Sequence, residues 1–151
     1  MHQFKYKGKT GLGREIIREY LKRYGKNIED FSPDIVTFIP LHPYREWKRG
    51  YNQSYIIAEE ISKFLKTKIY TGIRRIKNTK QQVGLNKKER RKNIKGVFAL
   101  RKKSKECLKY KKILLVDDVF TTGATSEECG NILKKAGARE LALFTISRRH
   151  L

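Results

Sequence analysis

Residues 113–125 read ILLVDDVFTTGAT, and this stretch decides the fold. Ile113 to Val116 are an unbroken apolar run, the pattern of a parallel strand covered on both faces, so a strand is expected over 112–117. It delivers two adjacent carboxylates, Asp117 and Asp118, at its end. Thr121, Thr122, Gly123, Ala124 and Thr125 then open a helix expected over 124–136, which Gly137 stops. Backbone N–H groups at a helix N-terminus, backed by the macrodipole, bind phosphate. Gly123 lets the backbone come close, and the threonine hydroxyls add donors. Adjacent carboxylates at a strand end offer acceptors to ribose hydroxyls. They can also help hold Mg²⁺, which neutralises a pyrophosphate. An ordinary turn with a capping threonine, or a receiver-type strand ending in acids, explains half of this string; neither explains the acids and TTGAT together.

Working outward, strands alternate with helices, which implies an α/β parallel sheet in a single domain. Residues 12–24 read as an amphipathic helix with Leu12, Ile16, Ile17, Tyr20, Leu21 and Tyr24 on one side, ended by Gly25. Residues 35–39 are a buried strand between Pro33 and Pro40. Residues 40–51 read as a loop rich in arginine and aromatics. Asn52 caps a helix over 53–66 whose apolar stripe is Ile56, Ile57, Ile61 and Leu65. Short strands are expected at 72–76 and 96–100, and a last one at 140–147. Between them, 77–93 is polar and basic and reads as a mobile loop with a short helix near 86–92.

Charge narrows the partners. The 151 residues hold 36 Lys and Arg against 15 Asp and Glu, a formal net charge of +21. One pyrophosphate needs only a few cations, so the excess asks for a larger polyanion, and nucleic acid is the obvious one. A lysine-rich background is the alternative, but that usually raises Glu as well, and acids are scarce here. In 44–51, Tyr44, Trp47 and Tyr51 interleave with Arg45, Lys48 and Arg49, the chemistry that stacks bases and pairs phosphates of a single strand. The competing reading packs one or two of these rings on the core. His42, beside a proline in a turn, is read as a local hydrogen-bonding residue before a catalytic one. The two cysteines, Cys107 and Cys129, are too few for a disulfide framework or a four-ligand zinc site, and fit a reducing cytosol. No run of 18 apolar residues occurs, so no membrane insertion is expected.

The string from 113 to 125 resembles the phosphoribosyl-pyrophosphate signature of the type I phosphoribosyltransferases. FIPLHPYREWKRGYNQ (38–53), RRIKNTKQQVGLNKKERRKNIKGVF (74–98) and KYKG (5–8) are similar to segments of the competence protein F (ComF) family, in the same order along nearly the whole chain. The resemblance implies a type I phosphoribosyltransferase fold and a role in natural transformation by uptake of single-stranded DNA. By position it puts the ribose diol and, directly or indirectly, Mg²⁺ on Asp117 and Asp118. It puts the 5′-phosphate in Thr121–Thr125 and pyrophosphate at Arg49 and Gly50. It makes 77–93 a flexible loop closing over the site, with Lys80, Arg90 and Arg91 as candidate cations that also read as solvated surface charges; 1–34, whose one signal is its amphipathic helix, is a possible hood. The four-cysteine zinc module with which many members begin is not in this chain. Three readings stay open. One is a Mg²⁺-dependent phosphoribosyltransferase with an unnamed nitrogenous acceptor. Another is a module that binds phosphoribosyl pyrophosphate or a nucleotide together with single-stranded DNA. The last is a docking protein among DNA-uptake proteins.

Overall fold

A computed structural model describes residues 10–79, 87–102 and 105–148. Four strands form one parallel sheet in the order β2-β1-β5-β6: β1 Ile35–Phe38, β2 Lys68–Tyr70, β5 Lys112–Phe120 and β6 Glu140–Arg148. A separate antiparallel pair joins β3 (Ile73–Arg75) to β4 (Phe98–Leu100). The helices are α1 Thr10–Tyr24, α2 Lys26–Phe31, α3 Pro43–Arg49, α4 Gln53–Leu65, α5 Lys87–Ile94 and α6 Ala124–Lys135.

The apolar run of β5 works because successive side chains leave on opposite faces. Ile113 and Leu115 enter a cluster with Cys129 and Leu133 of α6. Leu114 and Val116 enter the other, with Ile17 and Leu21 of α1 and Ile56, Ile57 and Ile61 of α4. Each fully buried Ile or Leu of this kind contributes about 1.5–3 kcal/mol. Glu60 of α4 is buried, yet Arg14 Nη1 and Arg18 Nε each donate to it at 2.6 Å, fastening α1 to α4. Burial alone would raise this carboxyl; the hydrogen bonds from Arg18 and Arg14 outweigh burial and hold it below its ordinary range.

Topology fixes where a site can form. From β1 the chain crosses through α4 to β2; from β5 it crosses through α6, on the other face, to β6. The winding therefore reverses between β1 and β5, and the crevice beyond their carboxyl ends is where open α/β sheets bind ligands. Pairing of β1 with β5 ends at Phe38 opposite Val116, whereas β5 continues beside β6 as far as Phe120 opposite Arg148. The two acids thus lie inside β5 and past the end of β1, not at a strand terminus as the sequence suggests.

Other expectations need correction. Residues 43–49 are helical: His42 Nδ1 accepts the Tyr44 N–H at 3.3 Å, Pro43 opens the helix, and Gly50, at φ 83°, closes it. None of its residues is buried, so it has no apolar stripe to betray it. The stripe of α1 divides: Ile17 and Leu21 are buried, while Leu12, Ile16, Tyr20 and Tyr24 are exposed. Short α2 and β2 were not foreseen, since six and three residues are too few for a clear period. Asn52 caps α4 as expected, its Oδ1 accepting the Tyr55 N–H at 3.4 Å. The helix expected near 86–92 is α5. Lys80 lies outside the described residues, as do the side chains of Arg90 and Arg91. Among the described residues, no helix is long and apolar enough to cross a membrane.

Candidate functional site

A cleft of about 210 Å³ opens at the reversal point, lined by Ile39 and Leu41 just after β1 and by residues of α3, α4, β3, β5 and α6. Its walls differ in chemistry. One is made of acceptors. Asp117 Oδ1 accepts the Ser54 Oγ–H at 3.3 Å and the Asp118 N–H at 2.9 Å, which fixes its carboxylate toward the cleft. Burial, and then the charge of Asp118, push Asp117 from 3.8 up to about 7, so this acid changes protonation near neutrality.

Thr121 and Thr125 line the cleft beside these acids. Gly123, at φ 76°, sits immediately before α6 in the left-handed region that a side chain disfavours. A Cβ there would also meet the Phe120 ring at 3.0 and 3.1 Å. The sequence asks for glycine here twice over, once for the backbone turn and once for the ring. Thr122 and Ala124 shape the turn instead of facing the cleft: Thr122 Oγ1 accepts the Ala124 N–H at 3.5 Å, and Ala124 is buried.

The remaining walls are donors. Arg49, the last residue of α3, reaches in and gives Nη1 to Gln53 Oε1 at 2.8 Å. Arg75 enters from the end of β3, only 8% exposed. Its guanidinium lies 5.5 Å from the Phe98 ring centroid, and Nη2 donates to Thr79 Oγ1 at 2.6 Å. Burial, and then the nearby charge of Arg45, pull the Arg75 pKa down. Gly50 plays a different part from the one expected. Its N–H donates to the Glu46 carbonyl at 2.7 Å, so it closes α3 and has no N–H left for an anion.

Sequence reasoning missed Ser54, Gln53 and Arg75. Arg75 did carry a signal: it is in phase with Ile73 on the inward side of β3, where a charge is out of place. His42 caps α3, the local role expected of it. On the outer side of α3, Tyr44 is 55% and Trp47 80% exposed, their ring centroids 6.5 Å apart, with Lys48 beside them. Tyr51 is half-buried against the α1–α4 core. Arg45 donates Nη2 to the Thr79 carbonyl. The described part of 1–34 covers a sheet face through Ile17, Leu21 and Ile28 and does not line the cleft.

The fold is that of the type I phosphoribosyltransferases. The hypoxanthine phosphoribosyltransferase of Staphylococcus aureus superposes with a TM-score of 0.56 over 90% of this chain and 65% of its own, at 15% identity. Glutamine phosphoribosylpyrophosphate amidotransferase from B. subtilis gives a TM-score of 0.55 over 88% of this chain and 26% of that one, at 17% identity. Within that fold, this chain belongs to the competence protein F family. It is 34% identical to competence protein F of Haemophilus influenzae over 98% of this chain and 66% of that protein. It is 32% identical to the DNA utilization protein YhgH of Escherichia coli, over 98% and 65%. Competence protein ComFC of Bacillus subtilis is 29% identical, over 98% and 58%. The chain thus spans about two thirds of the length of the first of these relatives. No family model matches it.

Proposed function

We propose that the cleft binds phosphoribosyl pyrophosphate and that the protein serves in the handling of single-stranded DNA during its uptake. One observation carries the first half: Asp117 and Asp118, the turn at Gly123, and Arg49 converge on a single cleft at the reversal point of the sheet. Acceptors meet the ribose hydroxyls, the α6 N-terminus meets the 5′-phosphate, and the guanidinium meets the diphosphate. The donor set also suits Mg²⁺. Two adjacent carboxylates, with no cluster of three or more His, Cys, Asp or Glu among the described residues, match an ion whose shell substrate phosphates complete. Bound there, Mg²⁺ supplies charge neutralisation to the diphosphate.

For the DNA role, the support is the +21 charge together with the exposed Tyr44 and Trp47 on a helix that also bears Lys48. The relatives named for competence and DNA utilization favour the same role. Residues 1–151 act in this reading as one phosphoribosyltransferase-type domain. In this reading segment 77–93, with Lys80, Arg90 and Arg91, serves as the loop that closes over the bound ligand. Catalysis is a second reading, favoured by one feature: Asp117 titrates near neutral pH, where an acid or base is useful.

Anisotropy of a labelled single-stranded oligonucleotide, titrated across salt with and without Mg²⁺ and phosphoribosyl pyrophosphate, tests the proposal. Binding with a steep salt slope is expected. Absence of binding at low salt removes the DNA role. Pyrophosphate release that depends on one nitrogenous acceptor establishes the enzyme.

A further inference from the structure

The outer edge of the sheet, far from the cleft in chemistry, is its least covered part. β6 is nine residues long and pairs with β5 on one side; on the other, no strand among the described residues meets it. A bare edge presents a row of unpaired N–H and C=O groups, which proteins ordinarily blunt with proline, charge or a cover. β6 has no proline, and its charged residues, Glu140 and Arg148, stand only at its two ends. Between them Leu143 and Ile146 are exposed. The helix beside it matches. Leu12, Ile16, Tyr20 and Tyr24 recur every fourth residue along α1 and are all exposed, so they form one row. Arg14 and Arg18 reach α4 through Glu60 from the other flank of α1, so the row is turned away from α4. Tyr20 meets the Phe144 ring edge-on at 6.0 Å and the Tyr24 ring at 5.2 Å. The row thus continues the β6 edge as one apolar strip, the kind of surface that marks a protein contact.

We infer that this strip is the interface between two copies of the chain, with β6 running antiparallel to β6 of the second copy about a two-fold axis. β6 is complementary to itself. A register centred on Phe144 sets Glu140 opposite Arg148 of the second copy, at both ends of the pair. Ala142 then faces Ile146, Leu143 faces Thr145, and Phe144 faces its own equivalent. Opposite charges directly across a sheet attract and like charges repel, and any other register loses both pairs. Glu140 is available for this, because its ion pairs to Lys112 at 3.6 Å and Arg139 at 3.7 Å are long and exposed. A two-fold axis normal to the sheet keeps both α1 helices on one face, so their exposed rows meet. Each chain offers this edge once, so the assembly closes at two. A nucleic acid would ask for cations along the strip, where side chains are apolar. The +21 charge on each copy opposes association and is screened by salt, so the pairing tightens with salt, whereas DNA binding weakens.

Sedimentation equilibrium of the full chain over a concentration series, at low salt and in ~0.5 M salt, tests this. A reversible monomer–dimer equilibrium is expected, at least ~3-fold tighter in the higher salt. Ile16→Lys and Ile146→Lys, both at exposed positions, should each weaken the dimer at least ~10-fold with an unchanged circular dichroism spectrum. Glu140→Arg and Arg148→Glu each set like charges across the pair and should weaken it ~3- to 10-fold, while the double variant that swaps the two should restore it. Should either lysine variant fail to fold, the charge swap decides. A monomer at every concentration and salt, open-ended aggregation with no dimer plateau, a dimer indifferent to folded lysine variants, or a swap that rescues nothing overturns the inference.

Discussion

Segments 117–125 and 42–53 both line one cleft, and they are encoded differently. In 117–125 every functional feature is local. The acids, the left-handed Gly123 and the helix start follow one another within nine residues, and the backbone alone brings them together. In 42–53 the features are assembled by caps and distant contacts. His42 and Gly50 delimit α3, Asn52 Nδ2 donates to the Ile39 carbonyl at 3.1 Å, and Ser54 just beyond reaches Asp117. A local site should fail sharply when one residue changes, whereas an assembled one should weaken by degrees.

Gly123→Val gives the sharpest test. The left-handed backbone costs a β-branched residue of order 1–3 kcal/mol, and Phe120 must also shift. Loss of phosphoribosyl pyrophosphate binding by at least ~100-fold is expected by calorimetry, with the rest of the fold intact by circular dichroism. Normal binding would break the comparison, because the turn would then have no part in recognition.

Asp117→Asn comes next, and its effect has a sign. With its folded-state value raised to about 7 from 3.8, Asp117 keeps a proton in the unliganded protein that the unfolded chain releases. The stability it contributes is full below 3.8 and is lost as pH rises through about 7. The wild-type unfolding free energy should therefore fall between pH 5 and 8 more steeply than that of Asp117→Asn, by on the order of 1–2 kcal/mol. The neighbours that set this are Asp118, Ser54, Arg75 and Cys129. Ligand affinity in Mg²⁺ should change the other way in the wild type, rising as the carboxylate ionises, and should drop ~10-fold or more in the variant. Parallel pH profiles for the two proteins would remove Asp117 from this role.

Trp47→Ala probes the outer face of α3. With 80% of the residue exposed, stability should stay within ~0.5 kcal/mol, while single-strand affinity falls by the ~1–3 kcal/mol of one stacked base. Unchanged anisotropy would take the indole out of the DNA surface. The smallest effect belongs to Asn52→Ala, which removes an N-cap and the hydrogen bond to the Ile39 carbonyl and should cost about 1–2 kcal/mol in denaturant unfolding. It should reduce pyrophosphate affinity by only a few-fold, the graded weakening expected of an assembled wall.

What the sequence alone determined is what short-range rules can carry. The unbroken run of β5 required a sheet covered on both faces, and Gly123 set the turn into α6 just after the two acids. Asn52 announced α4, and the surplus of lysine and arginine set the net charge of +21. These depend on a residue and its neighbours within one element. Tertiary structure alone decided the rest. It turned 43–49 into a helix with no buried stripe, and it drew Tyr51 toward the core. It spent the Gly50 N–H on a cap, and it brought Arg75, 42 residues before Asp117 in the chain, into the same cleft. The physical reason is that a parallel sheet pairs strands from remote parts of the chain. The crevice where its winding reverses is lined by residues whose separation in sequence says nothing of their distance in space.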